Sequence, residues 1–457
     1  MQSRLSLPDP LIARYLRGDF LERAAERMAD ATLYLDHCVE VELALLAVLA
    51  NRGFLTADLV EQTRQSSRSI TPDELMAEDD RVRHDLKAVV NCMARYAPEP
   101  VKPLIHLGAT SYDILSNAHL MRLREGVRDF ALPALREVCT ELARLAEREA
   151  ETPTIGRTHG QYAEPITFGY ALAVILDRLG FCVTALEESL GHLRGKFSGA
   201  VGAYVAMGLL FDDPRAIERE VLAQLDLEPN HTSTQITHPE PALAVLHHLT
   251  AAFGVLANLA DDLRHLQRSE IAEVAESYKA ESQVGSSAMP HKQNPITWEN
   301  IKSLWKTFMP SLMTFYMDQI SEHQRDLTNS ASARFLPRLV LGLTVAAKRA
   351  TRGLHGLVVV RERMSERLAG LDQVVSGPAQ VLLSSVGCPD AHEKVRLLTL
   401  ASGKLPELLA ADPELAPYLA RLEPRQREAL SSPRAMTGPA HQAALETAHY
   451  WKERLSL

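Results

Sequence analysis

The sequence predicts an all-α fold, and three observations indicate it. Aromatic residues make up only 5% of the chain while Ala and Leu are abundant, a composition typical of helices that pack through small and γ-branched side chains. Long segments contain no Gly or Pro, beginning with residues 20–52. Residues 241–279 carry apolar positions at alternating spacings of three and four, which is the stripe of a long packed helix: Leu246, Leu249, Phe253, Leu256, Ala260 and Leu263.

The remaining elements follow from local patterns. Asp73 and Glu74 after Pro72 predict a helix start, and Thr110 or Ser111 can cap a helix. Strand signals are weak, and VGAYVAM (201–207) is the best strand candidate. Beyond residue 353 Pro and Gly return and the helices shorten, which predicts a small C-terminal helical domain. Helical runs are predicted over 133–151, over about 169–196, and after Pro295 with a break at 323–337.

Bulk properties exclude several classes of protein. The chain has 457 residues, enough for two or three domains, and a formal net charge of −9, which is the wrong sign for a nucleic-acid footprint. Its five cysteines are scattered, without a CxxC pair, so neither a zinc site nor a disulfide framework is predicted. We see no signal peptide and no apolar window of membrane-spanning length. These features predict a soluble cytoplasmic protein.

Four polar interruptions between the helices hold the candidate chemistry: 106–117, 152–169, 230–241 and 281–295. Irregular breaks expose backbone donors on a rigid scaffold. In the last break, Ser286 beside an ammonium and backbone amides could act as a base. His159 offers an imidazole that titrates near neutral pH. Carboxylates could be held by Thr110, Ser111, Gln235, Lys292 and Asn294, and a phosphate by Arg14, Arg83, Ser330 and Arg334.

Each of these residues also has a purely structural interpretation. A lone His159 is commonly a surface or capping residue, and TSYDIL is a sufficient N-cap by itself. Lys292 in a loop flanked by prolines is commonly solvated. The sequence GSSAMPHKQNP (285–295) is harder to treat as a plain surface loop, because Gly, Ser, Lys and Asn are so dense within it.

That loop matches the pattern GSSxMPxKxNP of the fumarase/aspartase superfamily. GATSYD and GRTHGQYAEPITFG resemble the other two signature regions of this superfamily, in the expected order. Within it the chain is most similar to the adenylosuccinate lyases. That similarity is carried by RHDLKAVV from Arg83, by ARY at Arg14 and Tyr15, and by QRDLTNSASAR at 324–334.

The resemblance implies an all-α fold of three domains with a central long five-helix bundle. We place these domains at 1–108, 109–353 and 354–457. It also implies a homotetramer in which three chains contribute to each active site. The implied substrates are small succinyl-purine nucleotides, and no cofactor or metal is implied. Fumarate and AMP would be products.

The resemblance also implies roles for individual residues. Ser286 takes a proton from the succinyl Cβ, His159 protonates the departing nitrogen, Lys292 stabilises the intermediate and His84 orients the substrate. The matching motif positions give the remaining substrate-binding set: Arg14, Tyr15, Arg83, Asp85, Thr110, Ser111, Asp113, Thr158, Gln235, Ser287, Met289, Asn294, Arg325, Ser330 and Arg334.

Some positions depart from the family pattern. STQITHPEP has His238, Pro239 and Glu240 where some of these lyases carry an Arg-Asp pair, and Asn329 and Ala333 replace a His and a Glu found in others. Three alternatives therefore stay open. They are a lyase for argininosuccinate or another N-substituted succinate, a carboxymuconate cycloisomerase, and a crystallin-like protein that uses the fold without catalysis.

Overall fold

The structure is a computed structural model that describes residues 15–29, 33–278, 285–326 and 328–457. It is 67% helical, which confirms the all-α class. The helices, in chain order, are α1 Asp19–Ala29, α2 Leu33–Asn51, α3 Ala57–Ser67, α4 Pro72–Val82, α5 Asp85–Tyr96, α6 Ser111–Glu125, α7 Leu132–Arg148, α8 Phe168–Leu190, α9 Val205–Leu210, α10 Pro214–Gln224, α11 Glu240–Leu266, α12 Ile296–Phe308, α13 Ser311–Met317, α14 Ser330–His355, α15 Arg361–Ala369, α16 Ser376–Ser385, α17 Ala391–Leu400, α18 Leu405–Ala411, α19 Ala416–Leu419, α20 Pro424–Ser431 and α21 Ala440–Leu455.

The described strands are short, apart from one hairpin. In that hairpin β1 Pro153–Thr158 pairs antiparallel with β2 Gln161–Thr167, with an irregularity between Ile155 and Arg157. The other strands have two residues each: β3 Arg194–Gly195 pairs with β4 Glu228–Pro229, and β5 Val274–Ala275 pairs with β6 Val358–Val359.

By its internal contacts the chain forms two compact units. The first comprises the chain up to Leu135 together with Cys182–Gly254 and Leu304–Ala347, and the second comprises Arg136–Phe181, Val255–Ser303 and Lys348–Leu457. Within the first unit, α2 packs against α3, α5, α6 and α10. Within the second, α15 packs on β1, and α16 to α18 enclose a separate apolar core. The three-domain division at residues 108 and 353 remains a prediction.

Local signals explain several helix starts. The Thr71 side chain accepts a hydrogen bond from the Glu74 N–H (3.2 Å), and Pro72 occupies the first helical position of α4. At α6 the Asp113 carboxylate accepts from the Thr110 N–H (2.8 Å). Both starts were predicted from the sequence, and both are confirmed.

Three sequence predictions are wrong in detail. VGAYVAM is not a strand, because α9 begins at Val205 after a turn. The helix predicted over 241–279 ends at Leu266. The break predicted to run to residue 337 is shorter, since α14 begins at Ser330 and carries Pro337 in its interior.

Two helices, Phe168–Leu190 and Glu240–Leu266, reach the length and mean hydropathy of a membrane span, contrary to the sequence prediction. Of their most apolar windows, 56% and 61% is buried inside the protein. That burial is typical of core helices in soluble proteins.

A partly buried ion-pair cluster joins α1, α2 and α6 in the first unit. The Glu125 carboxylate accepts hydrogen bonds from the Arg27 guanidinium (3.0 Å, Nη2 to Oε2) and lies 2.9 Å from the His37 Nε2. Burial alone would raise the pKa of Glu125. The bonds to His37 and Arg27 outweigh this effect and lower that pKa to about 2.

Candidate active site

A cavity of about 950 Å³ in the first unit collects most of the predicted nucleotide-binding residues. Its wall is built from the start of α5, one face of α6, the loop that precedes α11 and the start of α14. Eight predicted site residues line it: Arg83, His84, Asp85, Ser111, Gln235, Arg325, Ser330 and Arg334.

His84 caps α5 and is oriented by two hydrogen bonds. Its Nδ1 accepts from the Lys87 N–H (3.3 Å), and its Nε2 lies 3.3 Å from the Ser111 hydroxyl. An Nδ1 that accepts leaves the proton on Nε2, so the imidazole donates to Ser111. The imidazole therefore lies beside the first residue of α6, with a fixed tautomer.

Cationic groups also line this cavity. Arg334 donates to the Asp85 carboxylate (3.1 Å) and to the Ser330 carbonyl (2.8 Å). Arg325 stacks on the Tyr112 ring with its Cζ 3.4 Å from the ring centroid. Ser330 is the first residue of the 26-residue helix α14. Guanidinium groups beside a helix N-terminus form a suitable site for a phosphate.

Gln235 connects the loop before α11 to the α6 start. Its side-chain amide donates to the Thr110 hydroxyl (3.4 Å), and its backbone N–H donates to the Gln324 carbonyl (3.1 Å). Thr110, Ser111 and Gln235 thus form a polar group that can bind a carboxylate.

Asp113 has a different environment from the one that the sequence suggested. Its carboxylate is fully buried and is paired with the equally buried Lys196 ammonium. It also accepts from the N–H groups of Ser198 (2.9 Å) and Gly199 (3.1 Å). With the Thr110 N–H these donors occupy the carboxylate, so Asp113 joins the segment before α6 to the segment 196–199 and offers no free oxygen to a ligand.

The sequence analysis missed two cavity residues, His119 and Asp318, and noted a third, His238, only as a departure from the family pattern. His119 is half-buried, and desolvation together with the charges of Arg122 and Arg334 lowers its pKa to about 4. Burial raises the pKa of Asp318. His238 completes the set. Helical spacing could have identified His119, which lies eight residues after Ser111 on the same face of α6.

The second unit presents Thr158 and His159 at the tip of the β1–β2 hairpin. Thr158 pairs with Gln161, and the two residues between them have positive φ, 53° for His159 and 75° for Gly160. This is the geometry of a type I′ turn, in which Gly is favoured. His159 holds this backbone conformation with its side chain exposed.

The loop 285–295 also lies in the second unit and is closed on itself. The Asn294 side chain donates to the Gly285 carbonyl (3.1 Å), and the Ser286 hydroxyl accepts from the Met289 N–H (3.1 Å). A Cβ on Gly285 would lie 2.4 Å from the Lys292 carbonyl oxygen, so this position requires Gly. Ser287, Met289 and Lys292 project from the loop as exposed side chains.

Of the two predicted residues of the N-terminal phosphate site, one lies within the described residues. Arg14 lies outside the described residues. Tyr15 is described and half-buried, and it is absent from the described lining of the cavity. Within the described ranges, no group of three or more His, Cys, Asp or Glu is arranged to hold a metal ion.

Comparisons with known proteins identify the family of this chain. Residues 62–307 match a family model described as Lyase, and residues 321–409 match one described as Adenylosuccinate lyase C-terminal. Adenylosuccinate lyase from Pyrococcus abyssi is 31% identical over 396 residues, which are 84% of this chain and 87% of that protein. Adenylosuccinate lyase from Aquifex aeolicus is 32% identical over 400 residues, 84% of this chain and 89% of that protein.

Solved structures share the fold. Fumarate lyase from Mesorhizobium sp. BNC1 superposes with a TM-score of 0.81 at 25% identity, covering 94% of this chain and 97% of that one. The 3-carboxy-cis,cis-muconate lactonizing enzyme from Pseudomonas putida also gives 0.81, at 22% identity over 98% and 100% of the two chains, and at that identity it supports the fold alone. The chain therefore belongs to the adenylosuccinate lyase family of the fumarase/aspartase superfamily.

Proposed function

We propose that this protein is an adenylosuccinate lyase, which eliminates fumarate from adenylosuccinate to give AMP. We extend the proposal to the succinylaminoimidazolecarboxamide ribotide, which carries the same succinyl-amine and phosphate groups. One observation carries the choice of substrate. A single cavity is lined both by cationic groups, at Arg325, Arg334 and the α14 N-terminus, and by Ser111 and Gln235, which with Thr110 form the carboxylate-binding group. A succinyl nucleotide carries both a phosphate and the two carboxylates of the succinyl group.

The proposed chemistry is a β-elimination. The Ser286 alkoxide removes a proton from the succinyl Cβ, the Cγ carboxylate accepts the charge, and the C–N bond then breaks. Lys292 and Asn294 stabilise the aci-carboxylate, because an ammonium and an amide donor oppose its developing negative charge. His159 gives a proton to the departing nitrogen, which leaves as the amino group of AMP. The closed loop and the exposed hairpin tip support these roles.

His84 is proposed to orient the substrate. Its Nε2–H already donates to Ser111, so a substrate oxygen that binds there can share this proton. Arg14, Tyr15 and Arg83 are proposed to complete the phosphate contacts, and Thr158, Ser287 and Met289 those to the succinyl group.

We also propose a homotetramer in which three chains complete each active site. The motivation is that the chain belongs to the adenylosuccinate lyase family, for which the sequence resemblance implies this assembly. The five cysteines are free and buried, which supports a reducing, cytoplasmic location.

A substrate panel tests the proposal. The purified protein is incubated separately with adenylosuccinate, argininosuccinate and 3-carboxymuconate while product formation is followed. We expect fumarate and AMP from adenylosuccinate alone. Ser286→Ala should abolish turnover while the sedimentation coefficient stays that of the wild type. Turnover of argininosuccinate or carboxymuconate in place of adenylosuccinate would overturn the substrate assignment, and full activity of Ser286→Ala would remove that residue from the base role.

A further inference from the structure

We propose that Glu273 is a positioning residue for catalysis, because its buried carboxylate fixes the hairpin tip that presents His159. The inference rests on the acid role that the proposed function gives to His159. It adds a residue that does not touch the substrate and acts through two arginines.

Two cross-strand pairs lie next to the tip of the hairpin. Arg157 on β1 is registered with Tyr162 on β2, and between this pair and the turn lies only the pair formed by Thr158 and Gln161. The Arg157 guanidinium lies over the Tyr162 ring, 5.5 Å from its centroid. The orientation of these two side chains therefore controls where His159 is held.

Both members of this pair converge on Glu273. The Arg157 guanidinium forms a bidentate pair with the Glu273 carboxylate, at 3.0 and 2.5 Å. The Arg367 Nε forms an ion pair with the same carboxylate at 3.1 Å, and the Arg367 Nη1 donates to the Tyr162 hydroxyl at 2.6 Å. One strand is thus tied to Glu273 directly, and the other is tied through Arg367.

The anchor itself is rigid. The Glu273 side chain is 1% exposed, and its backbone donates to the Leu266 carbonyl (2.9 Å) and accepts from the Val360 N–H (3.0 Å). Arg367 also donates to the carbonyls of Glu270 (2.7 Å) and Ile271 (3.0 Å). The main chain that carries the carboxylate is therefore hydrogen-bonded to segments other than the hairpin.

Removing the charge of Glu273 would change the conformation of the hairpin tip more than that of the rest of the unit. Two guanidinium groups would then share a largely buried space without a counter-charge, and they would repel each other. The hairpin is the more exposed partner, so it would be the part that yields. A misplacement of a proton donor by about 1 Å can cost on the order of 100-fold in rate.

The chain offers a matched control in the same unit. Glu149 is another fully buried carboxylate between two arginines, accepting from Arg148 (2.7 Å) and from Arg361 (2.6 and 2.8 Å). It also accepts from the Thr152 hydroxyl (2.7 Å), next to the base of the hairpin. Glu149→Gln therefore removes the same kind of charge at the end of the hairpin that is remote from His159.

The test is a double-mutant cycle on adenylosuccinate turnover. We expect Glu273→Gln to lower kcat about 10- to 100-fold with KM within about threefold, because a displaced proton donor slows the chemistry and leaves substrate contacts intact. Glu149→Gln should leave kcat within about twofold even if it lowers Tm equally. In a His159→Ala background, Glu273→Gln should cost nothing further, since the group that it positions is already gone.

The outcomes distinguish a failure of the proposed acid role of His159 from a failure of the positioning role of Glu273. Full activity of His159→Ala would overturn the proposed acid role. A slow His159→Ala enzyme that Glu273→Gln slows by its full factor again would overturn the positioning role alone. Tyr162→Phe, at a residue 45% exposed, provides a variant that keeps the core intact if Glu273→Gln fails to fold. We expect it to lower kcat about threefold in the wild type and not at all in His159→Ala, and equal losses in both backgrounds would contradict the proposal.

Discussion

From the buried ion pair between Lys196 and Asp113 we predict how much the substitution Lys196→Met lowers the stability of the protein. Both side chains are 0% exposed, and the Lys196 ammonium also donates to the Gly199 carbonyl (3.2 Å). Methionine keeps the apolar length of the side chain and removes only the charge and the donors. The Asp113 carboxylate would then be buried with backbone amides as its remaining donors.

The expected cost follows from burial. Removing one partner of a fully buried ion pair destabilises a protein by about 3–5 kcal/mol, because the other charge remains desolvated and uncompensated. Lys452→Met is the matched control, since Lys452 and Glu147 are paired at 2.6 Å but are 37% and 38% exposed. Exposed pairs of this kind contribute about 0–1 kcal/mol.

Scanning calorimetry of both variants supplies the assay. Lys196→Met should lower Tm by several degrees more than Lys452→Met does. Adding Asp113→Asn to Lys196→Met should recover part of the loss, because the uncompensated charge is then absent. Equal Tm values for the two single variants would refute the view that this pair holds the α6 start.

Three further predictions concern the loop, the ion-pair cluster of the first unit and the phosphate site. Gly285→Ala should lower kcat at least about tenfold, because the added Cβ would lie 2.4 Å from a backbone oxygen. Gly208→Ala is the control and should leave kcat unchanged, because its Cβ would have no atom within 4 Å. Equal kcat values for the two variants would contradict this prediction. Glu125 has a pKa of about 2 in the folded protein, below its usual 4.5, so its contribution to stability is present above pH 4.5 and is lost as pH falls towards 2. The Tm difference between wild type and Glu125→Gln should therefore shrink over that window, and a difference independent of pH would refute it. Arg334→Ala should raise the KM for adenylosuccinate about tenfold or more, because a charge-assisted contact to the phosphate is lost. Arg264→Ala, at an arginine outside the cavity lining, should leave KM unchanged. An unchanged KM in Arg334→Ala would remove Arg334 from the phosphate site.

Several features of the fold could be predicted because their causes are local in sequence. The starts of α4 and α6 depend on a capping residue and a partner three positions later, at Thr71 and Thr110. The apolar stripe that ends at Leu263 predicted helix α11, but it did not predict the residue at which this helix ends. The candidate loop was visible because Gly and Pro break a helical pattern wherever they cluster.

Other features could not be predicted, because their causes lie far apart in the chain. The β1–β2 hairpin carries Pro and Gly and a turn with His at positive φ, all of which oppose a strand prediction. Asp113 looked available for a ligand because its partner Lys196 is 83 residues away. The link between Arg157 and Glu273 spans 116 residues and gives no local signal. The strand prediction for VGAYVAM was wrong for a similar reason, since local strand propensity is weak against tertiary context and α9 begins at Val205.

We expect this protein to release fumarate from a substrate whose phosphate it recognises. The most direct measurement compares kcat/KM for adenylosuccinate and for the same compound without its phosphate, on one preparation of enzyme. We expect equal amounts of AMP and fumarate from adenylosuccinate, and a kcat/KM lower by about 100-fold or more for the dephosphorylated compound, since two or more charge-assisted contacts are lost. No turnover of adenylosuccinate, or equal turnover of both compounds, would contradict the claim.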